Sequence, residues 1–235
     1  TTLALRILSE TGAPPSTDLV ENAVDYLVEA YDTDLCGWVK VPPEVNDHPH
    51  APWWRHPDGE AGNDPASDWD LFNVQVLAQL YDYSVLVPED LLEEVTQQAL
   101  ATLAGLPDAL EMHAFKGYLQ LASRVDSDRA ASLVTKLTRV AETIVVRDPA
   151  RWGEYVPGPL WIAPSPSARL AGLVAFDLDA HLDHLIAGQQ PNGAWLPPWR
   201  WGEPGVWAVA EKEWSGIVTL EALLTLREFG RIEGF

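Results

Sequence analysis

The chain has 235 residues, 47% hydrophobic and 21% charged, a composition that can bury a globular core. Its 15 Lys and Arg against 35 Asp and Glu give a net charge of -20, which repels phosphate backbones and anionic membrane surfaces and excludes nucleic acid as a partner. Cys36 is the only cysteine, so an intramolecular disulfide and a thiolate metal cage are ruled out, and no apolar run approaches the roughly 20 residues of a membrane span.

No Gly/Ser-rich or charge-rich linker divides the chain, so a single domain over residues 1–235 is expected. The first ten residues lack a basic segment followed by a long apolar one, which sets the expectation of a cytoplasmic protein. In chain order, the cap-rich run Pro15-Ser16-Thr17-Asp18 opens a helix whose face is Val20, Val24, Leu27, Val28 and Tyr31. A helical pattern covers 73–83, and Pro88-Glu89-Asp90 starts another helix that stops near Gly105. Pro107-Asp108 starts the next, over 108–123, with Leu110, Met112, Ala114, Phe115, Tyr118, Leu119 and Leu121 around most of its circumference, as in a helix enclosed by others. Leu133, Leu137, Val140 and Ile144 form one stripe with Lys136, Arg139 and Glu142 away from it, the pattern of an outer, half-solvated helix. Helical patterns at 168–189 and 214–229 complete the set, and alternating strand-length runs are missing. Three long irregular pieces, 37–69, 152–167 and 191–213, hold nearly all the Trp residues and read either as lids over helix ends or as a pocket rim.

Two segments match one another: Val24-Asp25-Tyr26-Leu27 leading to Gly37-Trp38, and Leu182-Asp183-His184-Leu185 leading to Gly193-Ala194-Trp195. In the second, Leu185, Gln189, Gly193 and Trp195 have the spacing L-x-x-x-Q-x-x-x-G-x-W. This resembles the QW repeat of squalene-hopene cyclases, oxidosqualene cyclases and protein prenyltransferase β subunits. In physical terms Gln can bond orphan groups at helix ends, Gly permits a tight turn and Trp stacks over the junction. The first copy departs from it, with Tyr31 in the place of Gln and an insertion around Leu35-Cys36. The resemblance implies an all-α fold, an α/α toroid-like arrangement of about four helical hairpins with long Trp-rich loops at one end. Asp177-Leu178-Asp179-Ala180 lacks the last carboxylate of the cyclases' D-x-D-D, and no D-D-x-x-D run is present to hold magnesium and a diphosphate. No cofactor is expected.

The proline-stiffened loop 41–54 holds acids, imidazoles and two indoles together, and Asp47 with His50 is its first candidate acid–base pair. The alternative is that Asn46, Asp47 and His50 satisfy backbone groups. His48, His50 and His56 lack the strand that aligns two rings, so no metal site is expected. On the enclosed helix, Glu111 and His113 are polar among apolar neighbours, and a carboxyl facing a cavity would hold its proton to higher pH; a cap or ion pair at the helix start is the competing reading of Glu111. Trp53, Trp54, Trp161, Trp199, Trp201 and Tyr118 are the aromatic side chains expected to line the pocket. Together with the resemblance, these residues suggest a cyclase or isomerase acting on a small apolar, polyene or terpenoid-like substrate. Two other functions stay open: a non-catalytic module for an apolar ligand or a protein, and a carbohydrate-active toroid with paired carboxylates.

Overall fold

The computed structural model describes residues 1–51, 54–56, 72–200 and 207–232. Among them all regular structure is helical, apart from one isolated bridge between Asp32 and Gly37, in agreement with the all-α expectation. Among the described residues no helix is long and apolar enough to cross a membrane. The chain divides into two compact units, Thr1–Val140 and Ala141–Phe235.

The first unit holds α1 (Thr2–Glu10), α2 (Asp18–Glu29), α3 (Asn73–Asp82), α4 (Glu89–Gly105), α5 (Met112–Ala122) and most of α6 (Ser127–Ile144). Helix α3 is its centre, packing against α1, α4 and α5. The reason is its composition: Val74, Val76 and Leu77 are fully buried, and Ala78 and Leu80 nearly so. Gly117 of α5 allows close approach, since a Cβ there would stand 2.7 Å from Val74 Cγ1. At the far ends of these two elements Arg124 grips Asp82 with two hydrogen bonds, Nε to Oδ1 at 2.7 Å and Nη2 to Oδ2 at 2.9 Å.

Three differences from the expected elements have local causes. Helix α1 lies outside the elements expected from the sequence; only Leu5 in it is buried, and packing against α2 and α3 supports the helix. Helix α5 begins at Met112 rather than at Asp108. The Asp108 carboxylate is drawn to Lys136 at 2.7 Å and Arg139 at 3.2 Å, and Glu111 performs the capping. Tyr31 lies beyond α2, whose buried face is Val20, Val24 and Leu27. The α6 stripe is as expected, with Leu133, Leu137 and Val140 at most 1% exposed. Lys136 crosses from it to the Leu106 carbonyl at 2.5 Å, satisfying an orphan group at the end of α4.

The second unit contains α7 (Pro159–Ile162), α8 (Ala171–Ala187) and α9 (Ala208–Glu228). Its core is Leu160, Leu182, Trp195, Ala222 and Leu226, with Leu178, Leu185, Val218, Phe229 and Ile232 packed around it. The short α7 interrupts the piece expected to be irregular and packs on α8. Helix α9 begins at Ala208 instead of Trp214: the run Ala208-Val209-Ala210-Glu211 favours helix, and the Glu211 amide already bonds the Trp207 carbonyl.

Candidate functional site

The two matched segments build the same local arrangement, one in each unit. In the first, the Trp38 indole Nε1–H donates to the Leu27 carbonyl at 2.6 Å, and its backbone N–H donates to Asn73 Oδ1 at 2.7 Å. In the second, Trp195 Nε1–H donates to the Leu185 carbonyl at 2.7 Å, and its backbone N–H donates to Thr219 Oγ1 at 2.9 Å. Each Trp thus closes the end of the preceding helix with its ring and is held by a polar side chain on the following one. Two residues before each Trp the backbone turns left-handed, at Gly193 with φ 85° and at Cys36 with φ 49°. The structural partner of Gly193 is therefore Cys36, while Gly37 matches Ala194. Gln189 Nε2 donates to the Gly193 carbonyl at 3.0 Å and braces the second turn.

The expected site residues of the first unit are engaged in local structure. Asp47 ends a 3-10 turn, Pro43–Asp47, and is exposed. His50 Nδ1 stands 2.7 Å from the His48 carbonyl, so that nitrogen carries the proton. Asn46 bonds His56 twice, its Nδ2 donating to the carbonyl at 2.8 Å and its Oδ1 accepting from the amide at 3.0 Å, which pins the loop. Trp54 is exposed, with the Lys40 ammonium 5.6 Å from its ring centroid. Glu111 caps α5: Oε2 accepts from the His113 amide at 2.7 Å and the Ala114 amide at 3.3 Å, and Oε1 lies 2.6 Å from His113 Nδ1. Partial burial pushes the Glu111 pKa up, but the His113 ring and the two backbone amides outweigh it, leaving the pKa below the usual carboxylate value. The capping alternative describes this geometry, and a proton-holding cavity acid does not. Tyr118 is fully buried in the core of the unit. Trp53 and Trp201 lie outside the described residues.

The second unit gathers side chains that the sequence shows only as scattered. Tyr155, Trp199 and Trp214 meet, with Tyr155 and Trp199 centroids 5.0 Å apart at 55° and Trp199 and Trp214 centroids 5.4 Å apart at 81°. The Trp199 and Trp214 rings, near-perpendicular, form a corner in which one meets the other edge-on, and Tyr155 leans on Trp199 at a tilt. Tyr155 remains 44% exposed. Three residues earlier on the same loop, Trp152 stacks on His181 at 4.4 Å and meets His184 edge-on at 5.7 Å, while its indole N–H donates to the Val146 carbonyl at 2.8 Å. His181 Nδ1 accepts from the Leu160 amide at 3.1 Å, which places the proton of the neutral ring on Nε2. Burial and then the neighbouring His184 lower the His181 pKa to about 4, so the ring is neutral near pH 7. Gly158 is required beside it, since a Cβ there would stand 2.5 Å from His181 Cε1. Trp161 is half-buried on α7.

Of the expected aromatic side chains, Trp199 joins this corner, whereas Tyr155 and Trp214 were not singled out as ligand contacts. Their spacing along the chain carried no signal, because the corner is made by residues from a loop, a turn and a helix. The carboxylates of Asp177-Leu178-Asp179 are engaged in ion pairs: Asp177 with Arg147, and Asp179 with Arg231 at 2.9 Å. Among the described residues no three His, Cys, Asp or Glu side chains converge as metal ligands would. No protein-family model, no curated protein and no solved structure matches the chain.

Proposed function

We propose that the chain is a helical module that binds a small apolar molecule at the corner formed by Tyr155, Trp199 and Trp214. The observation that carries this reading is the pair of ring contacts on Trp199, in a cluster where Tyr155 is still 44% exposed. Exposed aromatic surface releases water when an apolar ring or chain covers it, worth about 25 cal/mol per Å² of apolar area removed from water.

A second reading adds cyclase or isomerase chemistry to the bound ligand, within a toroid-like set of helical hairpins. It is favoured by the repeated anchors Trp38 to Leu27 and Trp195 to Leu185, which suit the architecture of the families that the turn sequence resembles. Those anchors bear on architecture and not on chemistry, and Glu111 is held ionised by its caps. Ligand binding is therefore the primary reading.

Titration with N-phenyl-1-naphthylamine, whose emission rises in apolar surroundings, tests it. Binding should be saturable, and Trp199→Ala with Tyr155→Ala should weaken it about tenfold or more, corresponding to the loss of at least one aromatic contact. Unchanged affinity in the folded double variant, checked by far-UV circular dichroism, would overturn the proposal. Turnover of a polyene by the folded chain would move the second reading ahead of the first.

A further inference from the structure

A helix on the surface of a globular protein normally turns charged residues outward, whereas α9 turns several large apolar ones outward beside its charged residues. Val209 is 71% exposed, Leu220 55%, Leu223 40% and Leu224 37%. Glu213, Gly216 and Arg227 are exposed as well. At about 100° per residue, Val209, Glu213, Gly216, Leu220, Leu223 and Arg227 fall on one stripe, spaced alternately four and three residues apart as in the seam of a packed helix pair. Trp214 points about 140° away from the centre of this stripe, so the stripe and the aromatic corner occupy different faces of the helix.

Gly216 is the informative residue. A glycine inside a helix costs about 1 kcal/mol relative to Ala, and a methyl group at this position would meet nothing within 4 Å. No packing among the described residues requires its small size. It leaves a notch in the middle of an exposed apolar stripe, where another backbone or side chain can approach closely.

The stripe is self-complementary about Leu220. When a second α9 is laid antiparallel with Leu220 facing Leu220, Gly216 falls opposite the partner's Leu224, and Glu213 falls opposite the partner's Arg227. A twofold axis repeats both contacts, so one juxtaposition yields two charge pairs and two notch-filling leucines. Among the described residues Arg227 pairs with the adjacent Glu228 at 3.3 Å, and its side chain is 51% exposed, so it can turn to an opposing carboxylate. We propose that α9 is a homodimer interface, with two copies of the chain packed antiparallel through Gly216, Leu220, Leu223 and Leu224 and locked in register by Glu213 and Arg227.

Sedimentation equilibrium of the full chain tests the proposal through charge exchange. The unaltered chain should dimerise, and Glu213→Arg or Arg227→Glu alone should each weaken the dimer about tenfold or more, because like charges then face one another twice. Mixing the two single variants should restore association as a heterodimer, since each chain then supplies the charge that the other lacks. In a Cys36→Ser background, Leu220→Cys should form a disulfide-linked dimer on mild oxidation, because the two thiols face across the axis. A chain that stays monomeric at about 100 µM would overturn the proposal and leave the stripe to a different polypeptide; that concentration would reveal any dimer with a dissociation constant in the micromolar range. A dimer indifferent to the charge exchanges, or a mixture that fails to restore association, would overturn it equally. Far-UV circular dichroism of each variant separates loss of association from loss of fold.

Discussion

The indole N–H of Trp195 donates to the carbonyl of Leu185 at 2.7 Å, and Trp38 makes the same bond to Leu27 at 2.6 Å. Each bond occupies a carbonyl in the last turn of the preceding helix or close to it, and each ring is nearly buried, 6% exposed for Trp195 and 3% for Trp38. Trp195→Ala and Trp38→Ala should each lower stability by about 3 to 5 kcal/mol, the usual cost of deleting a buried large aromatic. Replacement by Phe keeps much of the packing but leaves the carbonyl without its donor, so a smaller loss of about 1 to 3 kcal/mol is expected in urea denaturation. If Trp→Phe were neutral at both positions, the anchor would be packing alone.

At the first turn, a Cβ on Gly37 would stand 2.9 Å from Asn73 Nδ2, inside the group that holds the Trp38 amide. The equivalent position in the second turn is Ala194, where the holding group is Thr219. Gly37→Ala should therefore destabilise by about 1 to 3 kcal/mol through overpacking. The converse change, Ala194→Gly, should cost less than about 1 kcal/mol, the backbone-entropy effect alone. Equal losses in the two variants would contradict the asymmetry.

Gly158 and His181 are predicted to be coupled. Gly158→Ala forces a methyl group to 2.5 Å from His181 Cε1, so it should be harmful with His181 present and much less so in a His181→Ala background. A double-mutant cycle should give a coupling of about 1 kcal/mol or more, and additivity within about 0.5 kcal/mol would refute the contact.

The pH dependence of folding should carry the signature of the same histidine. Its folded pKa of about 4 lies below the unfolded value of 6.5, so as pH falls the unfolded chain takes up the proton first. The contribution of neutral His181 is complete above about pH 6.5, declines between there and about 4, and levels off below. With discounting for partial exposure, the loss should be on the order of 1 to 2 kcal/mol. His181→Phe keeps a ring for Trp152 but cannot titrate, and it leaves the Leu160 amide without its acceptor. It should therefore be less stable at pH 7 and flatter than the parent between pH 6.5 and 4. A parallel pH profile for the two proteins would show that His181 is not responsible.

Glu111→Ala should cost about 1 kcal/mol by removing the α5 cap, measured by thermal or urea unfolding at pH 7. Because its folded pKa is lowered, the cap is at full strength above the unfolded carboxylate pKa and fades as pH falls through the folded value. The difference between parent and variant should accordingly shrink in acid. A difference that grew in acid would instead reveal a carboxyl that works protonated, as a cavity acid would.

What the sequence determined by itself was the periodic part of the protein. The stripe Leu133, Leu137, Val140 and the face Val20, Val24, Leu27 are local signals, because helical burial repeats every three or four residues whatever the helix packs against. The matched turns were legible for a similar reason: a left-handed residue two positions before a Trp leaves a trace in spacing, although the pairing of Cys36 with Gly193 was hidden behind Gly37. The tertiary structure decided everything that depends on a partner distant in the chain. Glu111 and Asp108 both stood near a helix start, and only the approach of Lys136 and Arg139 drew Asp108 away and left the cap to Glu111. Helix α1 is short for an isolated helix, and the burial of Leu5 against its neighbours holds it in place. The aromatic corner was unreadable for the same physical reason: Tyr155, Trp199 and Trp214 follow no common period, and ring contacts at 5 Å are set by how a loop, a turn and a helix pack.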